Sequence, residues 1–453
     1  MYVVNEGYFI DKEKEMKRKA LLICILTAVC SVSAFAGAVS LNVSVSSPYL
    51  LADTRQTVFL KVGLLGTELE ESRDRTPANV AIVLDRSGSM DGQKIAQARE
   101  AAMIAVGMLD ERDVVSIVIY SDTVSVLVPA TRVTDKGDLY REIESIFAGG
   151  STALFAGVSK GADEVSKFFD RNKVNRVILL SDGLANVGPD SPLALGNLGE
   201  SLERAGIAVT TIGLGLGYNE DLMVMLAQRS DGNHAFVENY NDLTRIFQYE
   251  FNDILSVVAQ DVKIQVTCPE GIVPTRMLGR EAEIIGNKVY TSISQIYSRQ
   301  EKYLLLELDI PGERAGSQVE IARVDIEYGD MQTHRVDSLS SVMQVSYTGS
   351  KDTVEGSKDR ETLVEATKQI ATERTEEAIR LRDEGKVEAA QRLLEENADY
   401  LEREAKALKS EELEDLGATN RADADAVEDE ADWNENRKRM KADSYETQTQ
   451  QSY

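Results

Sequence analysis

Cysteine and histidine are scarce in this chain. Its 453 residues include only three cysteines and two histidines, and Cys24 and Cys30 lie inside an apolar N-terminal stretch. If that stretch is removed, Cys268 is the one remaining cysteine and no intrachain disulfide can form. These shortages exclude a disulfide scaffold and a Cys/His zinc site. They also leave little material for a Ser-His-Asp or Cys-His catalytic centre.

Basic residues are outnumbered. There are 50 lysines and arginines against 76 aspartates and glutamates, which gives a net charge of −26. A chain of this charge repels phosphate backbones, so we expect no nucleic-acid partner. Much of the acidic excess follows residue 355. That region is interpreted as a solvated helical surface, with an acidic docking tail as the alternative.

The N-terminus has the pattern of an export signal. Residues 16–19 read Met-Lys-Arg-Lys, residues 20–29 are almost entirely apolar, and Ala34-Phe35-Ala36 places small residues where signal peptidase cleaves. We therefore predict that residues 1–36 are an upstream extension and a signal peptide. The mature chain would start near Gly37 and reach the periplasm, the cell surface or the medium. The alternative is an uncleaved membrane anchor, the only case in which a membrane contact is expected.

The remaining chain is long enough for two or three domains. Strand patterns occupy residues 37–77, and strand and helix patterns alternate over residues 78–255. Strand patterns return over residues 256–350, helical periodicity follows over residues 358–409, and residues 410–453 are polar. We predict that the strands on both sides of the alternating region form one β-sandwich and that the polar end is a disordered tail.

The alternating region predicts an α/β fold with a doubly wound, mostly parallel sheet. Its strands, such as Val80–Leu84 and Val177–Leu180, are continuous apolar runs, as expected of strands buried on both faces. In the region that follows the sandwich, Gly385 interrupts the helical pattern. We therefore predict a C-terminal helical hairpin, with one helix before Gly385 and one after it.

Oxygen-bearing side chains follow two of these buried strands. The first strand runs into Asp85, Ser87 and Ser89, and strand 177–180 ends just before Asp182. A glycine-rich loop between them carries Thr152. In a doubly wound sheet, ligands bind beyond the carboxyl ends of the strands, so we expect these five side chains to meet there.

Two carboxylates and three hydroxyls form an all-oxygen ligand set. Such a set suits Mg²⁺, or Mn²⁺ or Ca²⁺, and disfavours zinc or copper. Because three of the five ligands are neutral, we expect an open coordination position that a carboxylate from a partner protein can fill. No small-molecule cofactor is expected. The glycine pattern at Gly213 and Gly215 is interpreted as a turn, and His234, His334 and Cys268 as structural residues.

At these positions the chain resembles the von Willebrand factor A family. The family's metal-ion-dependent adhesion site has the form Asp-x-Ser-x-Ser followed by a distant Thr and a distant Asp, and all five members are present here. Over residues 78–255 the details are most similar to inter-alpha-trypsin inhibitor heavy chains and bacterial homologues of calcium-activated chloride channel proteins. The resemblance implies metal-dependent protein binding.

These observations favour an exported, non-enzymatic adhesion or protein-binding module. One alternative is a structural envelope protein whose metal only stiffens the fold. Another is a metal-assisted hydrolase, which the lack of an obvious base or nucleophile disfavours. A cytoplasmic partner of an AAA+ ATPase would require the export signal to be false.

Overall fold

The computed structural model of the chain describes residues 32–69 and 75–451. The predicted signal segment upstream of Val32 lies outside the described residues. Ala34–Ala36, the expected cleavage motif, lies in the first described strand. Within the described ranges, no helix is both long enough and apolar enough to cross a membrane.

Seventeen strands are described, together with two short 3₁₀ turns at Gly88–Met90 and Tyr240–Asp242. In chain order the strands are β1 (Val32–Ala36), β2 (Val39–Val45), β3 (Tyr49–Leu51), β4 (Gln56–Gly66), β5 (Ala78–Asp85), β6 (Val114–Tyr120), β7 (Val124–Arg132), β8 (Val174–Ser181), β9 (Ala208–Leu214), β10 (His234–Val237), β11 (Val257–Thr267), β12 (Val273–Leu278), β13 (Glu283–Ile285), β14 (Lys288–Tyr297), β15 (Glu301–Ile310), β16 (Gln318–Asp330) and β17 (Arg335–Thr348).

The described residues also form eleven α-helices. They are α1 (Gln93–Met108), α2 (Lys136–Glu144), α3 (Leu154–Ser166), α4 (Pro192–Arg204), α5 (Glu220–Arg229), α6 (Leu243–Leu255), α7 (Lys351–Ser357), α8 (Arg360–Asp383), α9 (Val387–Leu408), α10 (Glu411–Ala426) and α11 (Glu430–Thr449).

The central sheet has the order β10-β9-β8-β5-β6-β7, and all its pairings are parallel except that of β6 with β7. Every residue of β5 and β8 is buried, because helices cover both faces of the sheet. Helices α1, α2 and α6 pack on one face, and α3, α4 and α5 pack on the other. The predicted doubly wound α/β fold is confirmed.

A two-layer β-sandwich flanks this sheet. One layer has the order β1-β2-β4-β15-β12 and the other β13-β14-β11-β16-β17-β3. The N-terminal strands enter both layers, since β4 pairs with β15 along its whole length and β3 pairs with β17. Their alternating apolar side chains fill one shared core. The prediction that strands on both sides of the α/β region build one sandwich is therefore confirmed.

The amino ends of the central strands face the sandwich. Arg176, near the start of β8, is fully buried and donates to Gln295 and to the Tyr297 hydroxyl on β14, the latter at 3.0 Å. The Thr76 hydroxyl, just before β5, donates to the Val257 carbonyl at 3.1 Å. This end of the sheet is therefore closed by polar contacts with the sandwich.

The C-terminal region is more ordered than its sequence suggests. Helices α8 and α9 form the predicted hairpin, and Gly385 between them has the left-handed φ of +79° that favours glycine. The disordered tail predicted for residues 410–453 is wrong, because α10 and α11 occupy residues 411–449. Trp433 of α11 is only 6% exposed, in a core shared with α8 and α9.

The tail is ordered because its charged residues are paired with residues distant in sequence. Arg437 contacts Glu220, Asp221 and Asp383. The buried Lys438 donates to the Tyr218 carbonyl at 2.8 Å and also contacts Glu220. A composition that indicates disorder in isolation therefore folds here, because α11 docks on the central sheet.

Candidate functional site

Asp85 ends β5, and its carboxylate is fully buried. Its Oδ1 accepts a hydrogen bond from the Ser87 amide at 2.8 Å, and its Oδ2 accepts one from the Ser181 hydroxyl at 2.8 Å. The chain then makes the 3₁₀ turn Gly88–Met90 before α1 begins. The first bond holds the loop back over Asp85, so that the serines of the motif lie above the carboxyl end of the sheet.

Asp182 brings a second carboxylate to this edge, directly after β8. The Ser89 hydroxyl lies 2.7 Å from Asp182 Oδ1, and the Ser87 and Ser89 hydroxyls lie 3.0 Å apart. The Asp182 side chain is fully buried, and Lys94 of α1 donates to its Oδ2 at 2.5 Å. Hydrogen bonds through Ser87 and Ser89 therefore link the ends of β5 and β8.

Thr152 reaches the same place from the glycine-rich loop between α2 and α3. Gly149 and Gly150 have φ of +155° and +91°, values that favour glycine. The Gly149 amide donates to the Arg86 carbonyl at 2.6 Å, and the Gly150 carbonyl accepts from the Gly88 amide at 2.9 Å. These two bonds fix the threonine loop directly against the serine loop.

The three hydroxyls converge on one point. A β-carbon built on Gly183 would lie 3.2 Å from the Thr152 Oγ1, 3.4 Å from the Ser89 Oγ and 3.9 Å from the Ser87 Oγ. The structure thus brings all five predicted residues to one edge of the sheet. Their chemistry, two carboxylates and three hydroxyls, fits a hard divalent cation.

Burial dominates the electrostatics of the site. It raises the pKa of Asp85 above its usual value, and the nearby Asp182 charge adds to this effect. Burial also raises the pKa of Tyr120, next to Asp85, well above its ordinary range, so the phenol stays neutral. A cation held at Asp85 would favour the ionised form of that carboxyl.

Three residues of this neighbourhood escaped the sequence analysis. Besides Lys94, Asp122 accepts from the Ser151 amide at 2.9 Å, and this bond is the main cause of its lowered pKa. Asn186 Oδ1 accepts from the Thr152 amide at 2.8 Å. Asp122 could have been found, because it follows a buried parallel strand, as Asp85 and Asp182 do.

The other singled-out residues lie elsewhere. His234 is buried at the start of β10, with Nδ1 2.9 Å from the Thr211 hydroxyl, and burial lowers its pKa to about 3. His334 lies in the turn between β16 and β17. Burial raises the pKa of Cys268 to about 11, which disfavours the reactive thiolate. Gly215 adopts a left-handed φ of +70° in a turn, as its interpretation as a turn residue requires.

The sequence has recognisable relatives. The family profile of the von Willebrand factor type A domain matches residues 79–249. The uncharacterized protein YfbK of Escherichia coli (strain K12) is 27% identical over 267 residues, which are 57% of this chain and 46% of YfbK. Human inter-alpha-trypsin inhibitor heavy chain H3 is 28% identical over 176 residues, 37% of this chain and 19% of that protein. The chain thus spans about half or less of the length of these two relatives.

A solved structure extends the likeness beyond the α/β domain. A von Willebrand factor type A protein from Catenulispora acidiphila aligns with a TM-score of 0.69 at 15% identity, over 86% of this chain and 91% of that one. At this identity the match shows the fold alone. The sequence profile and the motif at the strand ends both match the von Willebrand factor type A domain over residues 79–249.

Proposed function

We propose that this chain is an exported, non-enzymatic protein that binds other proteins through a divalent cation held by Asp85, Ser87, Ser89, Thr152 and Asp182. The observation that carries the proposal is the convergence of these side chains at one edge of the sheet. The cation would supply Lewis acidity and an attraction for anions, and an acidic side chain of the partner would complete its coordination.

Magnesium is the cation we expect in the cell. Mg²⁺ keeps several of its waters and needs few charged ligands, whereas Ca²⁺ prefers a larger cage of carboxylates and carbonyls. Mn²⁺ and Ca²⁺ are the alternatives. Lys94 shares Asp182 with the site, so a bound cation has to compete with its ammonium group, and we expect modest affinity.

Calorimetric titration of the folded chain with Mg²⁺, Mn²⁺ and Ca²⁺ tests the site. Binding heat is expected for wild type and should be lost in Asp182→Ala. Asp163→Ala is the matched control, because it removes an exposed carboxylate on α3. No heat from any of the three cations, with and without an acidic peptide, would overturn the proposal.

Binding and a purely structural metal predict different results. If the metal only stiffens the fold, a chelator lowers the unfolding temperature but leaves the capture of a partner unchanged. If the site binds proteins, the chelator abolishes capture from a protein that stays folded. A hydrolase would instead lose a measurable turnover in Asp85→Ala, but neither histidine lies at this edge to act as a base.

Export is a separate part of the proposal. Its support is the basic cluster at residues 16–19, the apolar run after it and Ala34–Ala36. Because Val32–Ala36 pairs with β2 as an edge strand, cleavage after Ala36 would leave β2 at that edge. N-terminal sequencing of the envelope fraction should give Gly37, and an intact leader on cytoplasmic protein would contradict export.

A further inference from the structure

Exposed apolar side chains lie on the loops around the candidate metal site. Four large apolar side chains on its loops are exposed to solvent, and we call them the apolar rim: Phe147 (72% exposed), Leu184 (59%), Val187 (36%) and Leu216 (43%). Exposed apolar side chains that cluster around a polar centre are typical of protein-binding surfaces.

Contacts on the backbone place the rim residues beside the site. Leu184 follows Gly183, the glycine at which the three hydroxyls converge. The Val187 amide donates to the Thr152 carbonyl at 3.3 Å. Leu216 precedes Gly217, where an added β-carbon would lie 2.7 Å from the Asp182 carbonyl oxygen.

Phe147 lies in a different loop, the one that leads to Thr152. It comes two residues before Gly149, whose amide is bonded to the Arg86 carbonyl next to Asp85. The rim residues therefore come from three different loops, after α2, β8 and β9. A ligand centred on the metal would meet apolar side chains in several directions.

Charge and chemistry together restrict what can occupy this surface. A carboxylate fits the centre of this surface, because the proposed cation has an open coordination position. The surrounding rim favours bulky apolar side chains, because burying them against exposed apolar residues removes apolar surface from water. A membrane surface is a poor occupant, because a chain with a net charge of −26 is repelled by anionic lipids.

We infer that the apolar rim selects a partner segment in which one aspartate or glutamate is bordered by bulky apolar residues. This inference rests on the proposed function and names its partner class. The carboxylate binds the cation, and its apolar neighbours pack against Phe147 and Leu184. An acidic segment with polar neighbours would bind the cation alone and dissociate faster.

Selection of random peptides displayed on phage tests the inference on the full folded chain. Peptides are captured in Mg²⁺ and eluted with a chelator. The expected consensus is an acidic residue flanked by Leu, Ile, Phe or Trp. A chelator-eluted consensus that is acidic but has no apolar preference would overturn the role of the rim.

Variants then separate the rim from the metal. With a selected peptide, Phe147→Ser combined with Leu184→Ser should weaken binding at least about tenfold, while calorimetry shows unchanged Mg²⁺ affinity. Phe168→Ser is the matched control, since this exposed phenylalanine lies after α3, near the amino ends of the strands. Wild-type affinity in the double variant would refute the inference and leave the metal-dependent function intact.

Two further outcomes concern the basis of the inference. Peptides that Asp182→Ala binds as well as wild type would overturn the proposed function itself. If wild type instead self-associates in Mg²⁺, and Phe147→Ser abolishes the association, then the occupant is a second copy of the chain. That result would overturn the assignment to a foreign partner segment.

Discussion

The two ends of the central sheet are built differently. At the amino ends, Arg176 and Glu250 are both fully buried 3.7 Å apart, and the sandwich covers them. At the carboxyl ends, the motif presents small hydroxyls, and Phe147 and Leu184 remain exposed. One end therefore buries large charged side chains in internal contacts, while loops with exposed apolar side chains surround the other.

We infer from this difference that the amino ends of the sheet stabilise the fold and that the carboxyl ends serve binding. The buried arginine is held by Thr210, Gln295 and Tyr297 as well as by Glu250, so removing it leaves several polar groups unsatisfied. The site at the other end lies on loops, and changes there should alter binding more than folding. Four variants can break or sharpen this contrast.

The largest effect is expected at Arg176. Arg176→Met deprives the buried Glu250 of its nearby guanidinium and should lower the free energy of unfolding by about 4 kcal/mol. Denaturant titration measures it, and Mg²⁺ binding by the folded fraction should be unchanged. Arg204→Met, which removes an exposed pair with Glu200, should cost less than about 0.5 kcal/mol. Equal losses in both variants would show that the buried Arg176 stabilises the fold no more than an exposed arginine does.

The second effect depends on pH. Burial lowers the pKa of His234 to about 3, so the folded state binds fewer protons than the unfolded state below about pH 6.5. The free energy of unfolding is therefore unaffected by His234 above that pH. It falls as pH drops towards 3, by up to about 1.4 kcal/mol per pH unit. His234→Asn should flatten the acid slope measured by denaturant titration. His334→Asn, at an exposed turn position with φ of +56° that asparagine tolerates, should keep it.

A smaller loss is expected where α11 meets the loop after β9. Lys438→Met removes the bonds to the Tyr218 carbonyl and Glu220 and should cost about 2 kcal/mol. Lys441→Met removes a partly exposed pair with Asp221 and should cost less than about 0.5 kcal/mol. Thermal unfolding of the two variants compares them directly. An equal shift would show that the buried Lys438 stabilises the docking of α11 no more than the partly exposed Lys441 does.

The smallest effect has the opposite sign. Burial raises the pKa of Asp85, so the folded state binds more protons than the unfolded state. Asp85 therefore lowers the free energy of unfolding, and this loss grows as pH rises above about 3.9. Asp85→Asn should therefore raise the unfolding temperature without metal by about 2 °C at neutral pH and leave it unchanged in strong acid. Calorimetric scans at both pH values check this. A lower neutral-pH temperature would show that the two hydrogen bonds of Asp85 outweigh its burial.

The sequence predicted the α/β domain because long apolar runs such as Val80–Leu84 are needed only by strands buried on both faces. It predicted the convergence of the motif because parallel strands end at a common edge. Helix α11 was missed because its ion pairs join Arg437 to Glu220 and Asp221, more than 200 positions away. Lys94 was missed because a lysine on a helix is usually a solvated side chain.

Helix α11 also covers an edge of the central sheet. Strand β10 ends the sheet on one side, and Tyr445 and Gln451 of the C-terminal region contact Gly232 and His234 there. An isolated domain of residues 78–255 would expose this short edge to other molecules, and exposed strand edges template intermolecular pairing. Helix α11 therefore covers a strand edge of the α/β domain, although the two lie far apart in the sequence.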